Sequence, residues 1–131
     1  MKTTLLINMI FLLSENVYAA HTNYYPIFIA SINCYDADTC MNARISLPFN
    51  LTKIATIRLL GVDAPEIRSP EKKEAMKSRN WLRKTIAKCN ELKASLHGTG
   101  SFGRELVTLY CDKININHLI IKLGFAEEYE R

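Results

Sequence analysis

The chain is 131 residues long, 48% hydrophobic, and carries 17 basic against 13 acidic residues for a formal charge of +4. That length leaves room for one domain with a modest core and no more. The charge excess is compatible with a polyanionic partner but does not demand one, because many soluble domains carry such a charge for solubility alone.

Residues 1–20 read as a secretory signal peptide. Lys2 is a short positive region, Leu5 to Leu13 an apolar core, and Val17-Tyr18-Ala19-Ala20 a small-residue cleavage site. The apolar core falls short of the roughly 20 residues that span a bilayer, so no stable membrane anchor is expected. An ordinary buried N-terminal helix is the less favoured reading. Removing the signal takes one base, Lys2, and one acid, Glu15, and leaves the +4 charge unchanged. The working domain is then 21–131.

From Tyr25 to Tyr35 the residues are mostly apolar or β-branched, with Pro26 near the start where an edge strand tolerates it. Asp36-Ala37-Asp38-Thr39 is a turn, and Cys40 to Leu47 resumes a strand, so this is a hairpin. Acids are common in turns because they bond nearby amides. For Asp36 that explanation has even weight, whereas for Asp38 it weakens beside the acids further on.

The segment Pro48 to Lys53 is a connection, and Ile54 to Val62 reads as a third strand buried on both faces. Arg58 interrupts it. A guanidinium cannot be neutralised, so in a buried strand it must meet anions. Asp63 and Glu66 follow at once, where Pro65 takes the chain out of the sheet. One buried cation and closely spaced carboxylates are the charge types needed to hold a metal ion and a phosphate together. Three carboxylates on two strand ends suit a hard, oxygen-preferring cation.

Ser69-Pro70-Glu71 reads as a helix start. Ala75, Leu82, Ile86 and Cys89 mark its buried face, and Lys72, Lys73, Lys77, Arg79, Arg83 and Lys84 its opposite face. That basic face is read as solvated in preference to a nucleic-acid contact, and Trp81 as core. Leu92, Ala94 and Leu96 alternate as a fourth strand. The loop from His97 to Arg104 holds three glycines and bends sharply. Arg104 opens a fifth strand over Glu105 to Cys111, either as a solvated loop end or as a second phosphate ligand beside Arg58. Asn117 is expected to cap a short helix through Leu123, with His118 structural or exposed, and Phe125 to Tyr129 to close the barrel edge.

Cys34, Cys40, Cys89 and Cys111 are an even set in a short exported chain, which reads first as disulfides. Cys34 and Cys40 flank the tight turn, and Cys89 is then left to pair with Cys111. A zinc site is disfavoured because no pair has the two-to-four-residue gap of a zinc knuckle. Four free thiols stay open as an alternative.

The fold class expected from this order is α+β, mainly β: an OB-like five-stranded antiparallel barrel with two helices. Asp36-Ala37-Asp38-Thr39, Arg58 to Glu66, Phe102-Gly103-Arg104 and Asn117 to Ala126 resemble, in order and spacing, the staphylococcal nuclease-like (thermonuclease) family. The central piece, an arginine four residues before the valine of Val-Asp-x-Pro-Glu, is the specific one. The resemblance implies a Ca²⁺-dependent phosphodiesterase acting on DNA and RNA and leaving 3′-phosphate and 5′-hydroxyl ends. It implies Ca²⁺ on Asp38, Asp63 and the backbone carbonyl of Ala64. It gives the attacking water to Glu66 and the scissile phosphate to Arg58 and Arg104. The expected protein is a secreted or periplasmic monomer. Against the family pattern, Ala37 replaces a glycine, Gly100 and Ser101 replace an acid and a lysine, and Phe102 replaces a tyrosine. If Ala37 must be left-handed, it costs roughly 1 to 2 kcal/mol. The rival readings are a non-cleaving OB-type module that binds nucleic acid and an exported interaction protein with a structural Ca²⁺ site.

Overall fold

A computed structural model describes residues 23–130; the signal peptide read over residues 1–20 lies outside them. The stretch expected as one first strand is two, β1 (Tyr25–Ile27) and β2 (Asn33–Asp36), parted by a 3-10 turn at Ile29–Ser31. The break lets the chain change partners. β1 lies against β6 (Leu92–Thr99), while β2 turns back on β3 (Thr39–Leu47). Ile27 also pairs with Ile45 of β3, which closes the barrel in the order β1-β6-β7-β4-β3, where β4 is Leu51–Leu59 and β7 is Glu105–Cys111.

The third expected strand also differs in its bounds. β4 runs Leu51–Leu59 and ends in a turn at Leu60-Gly61, before the two-residue β5 (Val62–Asp63). Gly61 takes φ +76, a conformation that glycine adopts without a steric penalty. The run is not buried throughout: Leu51 and Ile54 are 60% and 61% exposed, and only its later part, Ile57 and Leu59, enters the core. The β3–β4 hairpin therefore reaches past the barrel, and β-branched residues in its outer half serve the strand and not the core.

One seam departs from the antiparallel expectation. β4 pairs in parallel with β7 (Glu105–Cys111). After β4 the chain crosses over through helix α1 (Lys72–Ala87), and the β6–β7 hairpin then brings β7 back running the same way as β4. The barrel is mixed, and mainly β as expected. Strict alternation along β7 drives Val107, Leu109 and Cys111 inward. They meet Ile45, Ile57 and Leu59 from the neighbouring strands and Leu82 and Ile86 from α1.

Helix α1 buries Ala75, Ser78, Leu82 and Ile86, close to the expected face. Its first residue is Lys72, because Ser69 does not cap it: the Ser69 hydroxyl donates to the Glu66 carbonyl at 2.7 Å and accepts from Glu71 N–H. Ser78 Oγ bonds the Phe125 carbonyl, and Trp81 stacks on Phe125 with centroids 5.3 Å apart. This contact brings the C-terminal segment over α1, so that β9 (Glu127–Glu128) pairs with β5. β8 (Ile114–Asn115) extends the sheet beside β7.

Helix α2 (Ile116–Lys122) is capped by Asn115, whose side chain accepts from His118 N–H, and not by Asn117. Asn117 is buried. Its amide accepts from Leu109 N–H and donates to the Leu60 and Val107 carbonyls, each at 3.0 Å, tying α2 to β7 and to the turn after β4. His118 is exposed.

The four cysteines form two disulfides, Cys34–Cys40 across the β2–β3 hairpin and Cys89–Cys111 between the end of α1 and β7. By chain entropy alone they contribute roughly 2 and 3 kcal/mol respectively. Replacing Cys89 and Cys111 together by alanine is expected to lower unfolding stability by about 3 kcal/mol, read as a shift in the urea midpoint. Asn117→Ala is expected to cost about 3 kcal/mol in the same assay, because it orphans several buried backbone groups.

Candidate active site

Four chain segments meet at one end of the barrel: the β2–β3 turn, the β4–β5 turn, the loop from Ala64 to Ser69, and the second 3-10 turn (Ser101–Gly103). Together they enclose a polar cavity of about 480 Å³. Asp38, Arg58, Asp63, Glu66 and Arg104, separated by up to 66 positions in the chain, all line it. Asp36, Thr39, Ser101, Leu106 and Tyr129 complete the wall. Ala64 lines a neighbouring cavity of about 470 Å³, which shares Asp63 and Glu66 with the first and adds Glu71, Glu74 and Glu127. A cavity of about 770 Å³ lies elsewhere, between β1 and α1. Its lining is mainly apolar, with Arg83 and Glu91 as its charged residues.

Asp38 is the knot of this end. It is 5% exposed. Its Oδ2 takes an ion pair from Arg58 NH1 at 2.9 Å and the Ala64 N–H at 2.9 Å. Its Oδ1 accepts from the Thr39 hydroxyl, and its carbonyl accepts from Leu59 N–H. The half-buried strand arginine thus finds its anion within the protein. Arg58 also donates NH2 to the Val62 carbonyl at 3.0 Å and lies 5.9 Å from the Tyr129 ring centroid. Held at two nitrogens, the guanidinium is fixed in orientation where it lines the cavity.

Glu66 is exposed, but its backbone is clamped. Ile67 N–H donates to Asp36 Oδ1 at 3.0 Å, and Ser69 holds the Glu66 carbonyl. Asp36 therefore has a tertiary partner, which turn chemistry alone did not reveal. Ala37 is absent from the residues with positive φ and is fully buried. The methyl group packs in the core, and the strain foreseen for a left-handed alanine does not arise. Instead Phe102 takes φ +62 with its ring 95% exposed. Arg104 donates Nε to the Ser101 carbonyl, and its guanidinium lies 5.5 Å from the Phe102 ring.

Among the described residues no group of three or more His, Cys, Asp or Glu is arranged to hold a metal ion. The donor chemistry nonetheless suits a hard cation. Asp63 is exposed and has no side-chain hydrogen bond or ion pair among the described residues. It stands directly opposite Glu127 in the β5–β9 ladder. Like charges so placed repel unless a cation lies near them. Sequence reasoning missed Tyr129 and Glu127 as wall residues. Both sit in the short C-terminal strand region, and the only signal for them was the expectation that this segment closes the barrel edge.

A mixed barrel with two arginines and several carboxylates gathered around a cavity at one end defines an OB-type domain with a polar site outside its core. The family model described as Staphylococcal nuclease homologue matches residues 56–131, and the chain belongs to that family. The match takes in Arg58, Asp63, Ala64, Glu66 and Arg104, whereas Asp36 and Asp38 precede it. No curated protein matches the chain. A nuclease or nucleic-acid-binding domain is the function class that follows from membership.

The Asp38–Arg58 pair is expected to behave as a buried couple. Asp38→Ala and Arg58→Ala should each cost about 3 kcal/mol, because each strands the other charge, and the double variant should cost clearly less than the sum. Urea unfolding of the four proteins measures the coupling. Additive losses would mean that the pair is solvated and independent.

Proposed function

We propose that the chain is an exported, Ca²⁺-dependent nuclease that hydrolyses phosphodiester bonds of DNA and RNA, leaving 3′-phosphate and 5′-hydroxyl ends. The observation that carries the reading is the convergence of Arg58 and Arg104 with Asp38, Asp63 and Glu66 on one cavity in a member of this family. In this reading residues 1–20 are the signal peptide and 21–131 the working domain, acting as a monomer in the periplasm or outside the cell. The two disulfides support an oxidising destination. Among the described residues no helix is long and apolar enough to cross a membrane.

Asp38, Asp63 and the Ala64 carbonyl would hold Ca²⁺, which supplies Lewis acidity and a template for the phosphate when bound. Arg58 and Arg104 bind the non-bridging oxygens and neutralise the charge that grows on them during in-line attack. Arg58 arrives preorganised by Asp38 and Val62. Glu66 orients the attacking water and takes its proton, from a loop whose backbone Asp36 and Ser69 keep in place. Because Arg58 also grips Asp38, its removal disturbs the proposed metal ligand as well as the phosphate. Arg104 has no such second duty.

Purified chain is expected to degrade single-stranded DNA and RNA in Ca²⁺ and not in chelator. Glu66→Gln should lower the rate by roughly 10² to 10⁴-fold, and Arg104→Ala by roughly 10² to 10³-fold. Ca²⁺ affinity should survive in Arg104→Ala and fall in Arg58→Ala. Strands that are bound but never cut by the wild-type chain would replace this reading with the non-cleaving binding module.

A further inference from the structure

The basic face of α1 reads from sequence as a solvated surface, yet Arg83, though exposed, is tied to a neighbouring strand, and Arg79 is half-buried. Arg83 donates Nε to the Cys34 carbonyl at 2.8 Å and NH2 to Asn33 Oδ1 at 3.3 Å. It is thereby held against β2, the edge strand of the sheet. Arg79 lies one helical turn back, and its buried Nε has no hydrogen-bond partner among the described residues. Like charges four apart on a helix repel. Burial, and after it the charge of Arg79, holds the Arg83 guanidinium below its usual value. Neither arginine is in an ion pair among the described residues, where the pairs are Lys53–Glu105, Arg58–Asp38 and Lys93–Glu91. Glu91 shares a groove with Arg83 but is taken by Lys93.

A third cation continues the row. The Arg68 guanidinium lies 5.7 Å from the centroid of the Tyr35 ring. Asp36, the last residue of β2, already lines the site cavity. Arg83 at Asn33 and Cys34, Arg68 at Tyr35 and the site at Asp36 are thus ranged along one strand, which spans about 10 Å at the usual strand rise.

Two neighbouring guanidinia, one held by hydrogen bonds and the other half-buried, with no ion-pair partner among the described residues, suit an anion from outside, and their planar forks match phosphate oxygens. At the second 3-10 turn Arg104 is the guanidinium that lines the cavity, with Gly100 and Ser101 preceding Phe102 there. We propose that Arg68, Arg79 and Arg83 form a phosphate track along β2 that binds the backbone of the nucleic-acid strand beyond the bond being cut. The inference rests on the nuclease reading of the adjacent cavity, and the test separates the two.

The full chain carrying Glu66→Gln, chosen to slow cutting during the titration, is titrated with a labelled single strand of about a dozen nucleotides and with a dinucleotide over a salt series. Each phosphate neutralised on a single strand steepens log K against log salt by about 0.7. Arg79→Gln/Arg83→Gln should flatten the slope for the long strand by about 1.4 and weaken it about tenfold at low salt. Binding of the dinucleotide should hardly change. Arg79→Gln alone removes no side-chain hydrogen bond among the described residues, and should flatten the slope by about 0.7 without moving the melting temperature. Unchanged slopes in both variants overturn the track while leaving the nuclease reading intact. Equal losses for the long strand and the dinucleotide also overturn it, since they mark a structural role. A wild-type chain that neither binds nor cleaves any strand brings down both.

Discussion

Nearly every part of the working end depends on where the Asp38 carboxylate points. One oxygen takes Arg58 and the Ala64 amide, the other takes the Thr39 hydroxyl, and the carbonyl of the same residue takes Leu59 N–H. Three segments, the β2–β3 turn, the end of β4 and the start of the Ala64 loop, are thereby fixed to one another. A buried ion pair of this kind is a poor source of net stability compared with apolar packing. Its value here is positional, because a charge pair satisfied in one geometry forbids the alternatives. The same arrangement ties the phosphate-binding and cation-binding roles proposed for Arg58 and Asp38 into one unit.

The domain around this knot is small, and it is held by ties as well as by its core. The Cys34–Cys40 bridge closes the hairpin that carries Asp36 and Asp38, and the Cys89–Cys111 bridge pins α1 to β7. Asn117 does the corresponding task for α2 with three hydrogen bonds in the interior. Buried amides of this kind specify one arrangement, since any shift leaves donors and acceptors unpaired where water does not reach. The loops at the polar end can therefore expose Asp63 and Glu66 to solvent while their backbones stay fixed.

Charge is distributed unevenly around that end. Carboxylates crowd the side of Asp63, Glu66 and Glu127, and guanidinia run along β2 toward α1. A formal charge of only +4 conceals this separation. For a polyanion, the local field at a cleft matters more than the net charge, because a low-dielectric wall focuses it.

The amino-acid sequence alone determined the class of the fold, the two helices, the buried face of α1 and the residues that converge at the polar end. It did so because hydrophobic period and spaced charges are local properties that survive in one dimension. Only the tertiary structure decided the partners. The β2–β3 turn reaches Ile67 through Asp36, and Asn117 turns inward while Asn115 takes the cap. Ser69 holds the Glu66 loop and not the helix, and Ala37 fills the core without a left-handed backbone. Each of these is a choice between a neighbouring amide and a distant one, and it is settled by which segment the barrel's closure brings within hydrogen-bond reach. The parallel β4–β7 seam has the same origin, since strand direction depends on how many reversals the crossover inserts, and no residue in either strand encodes it.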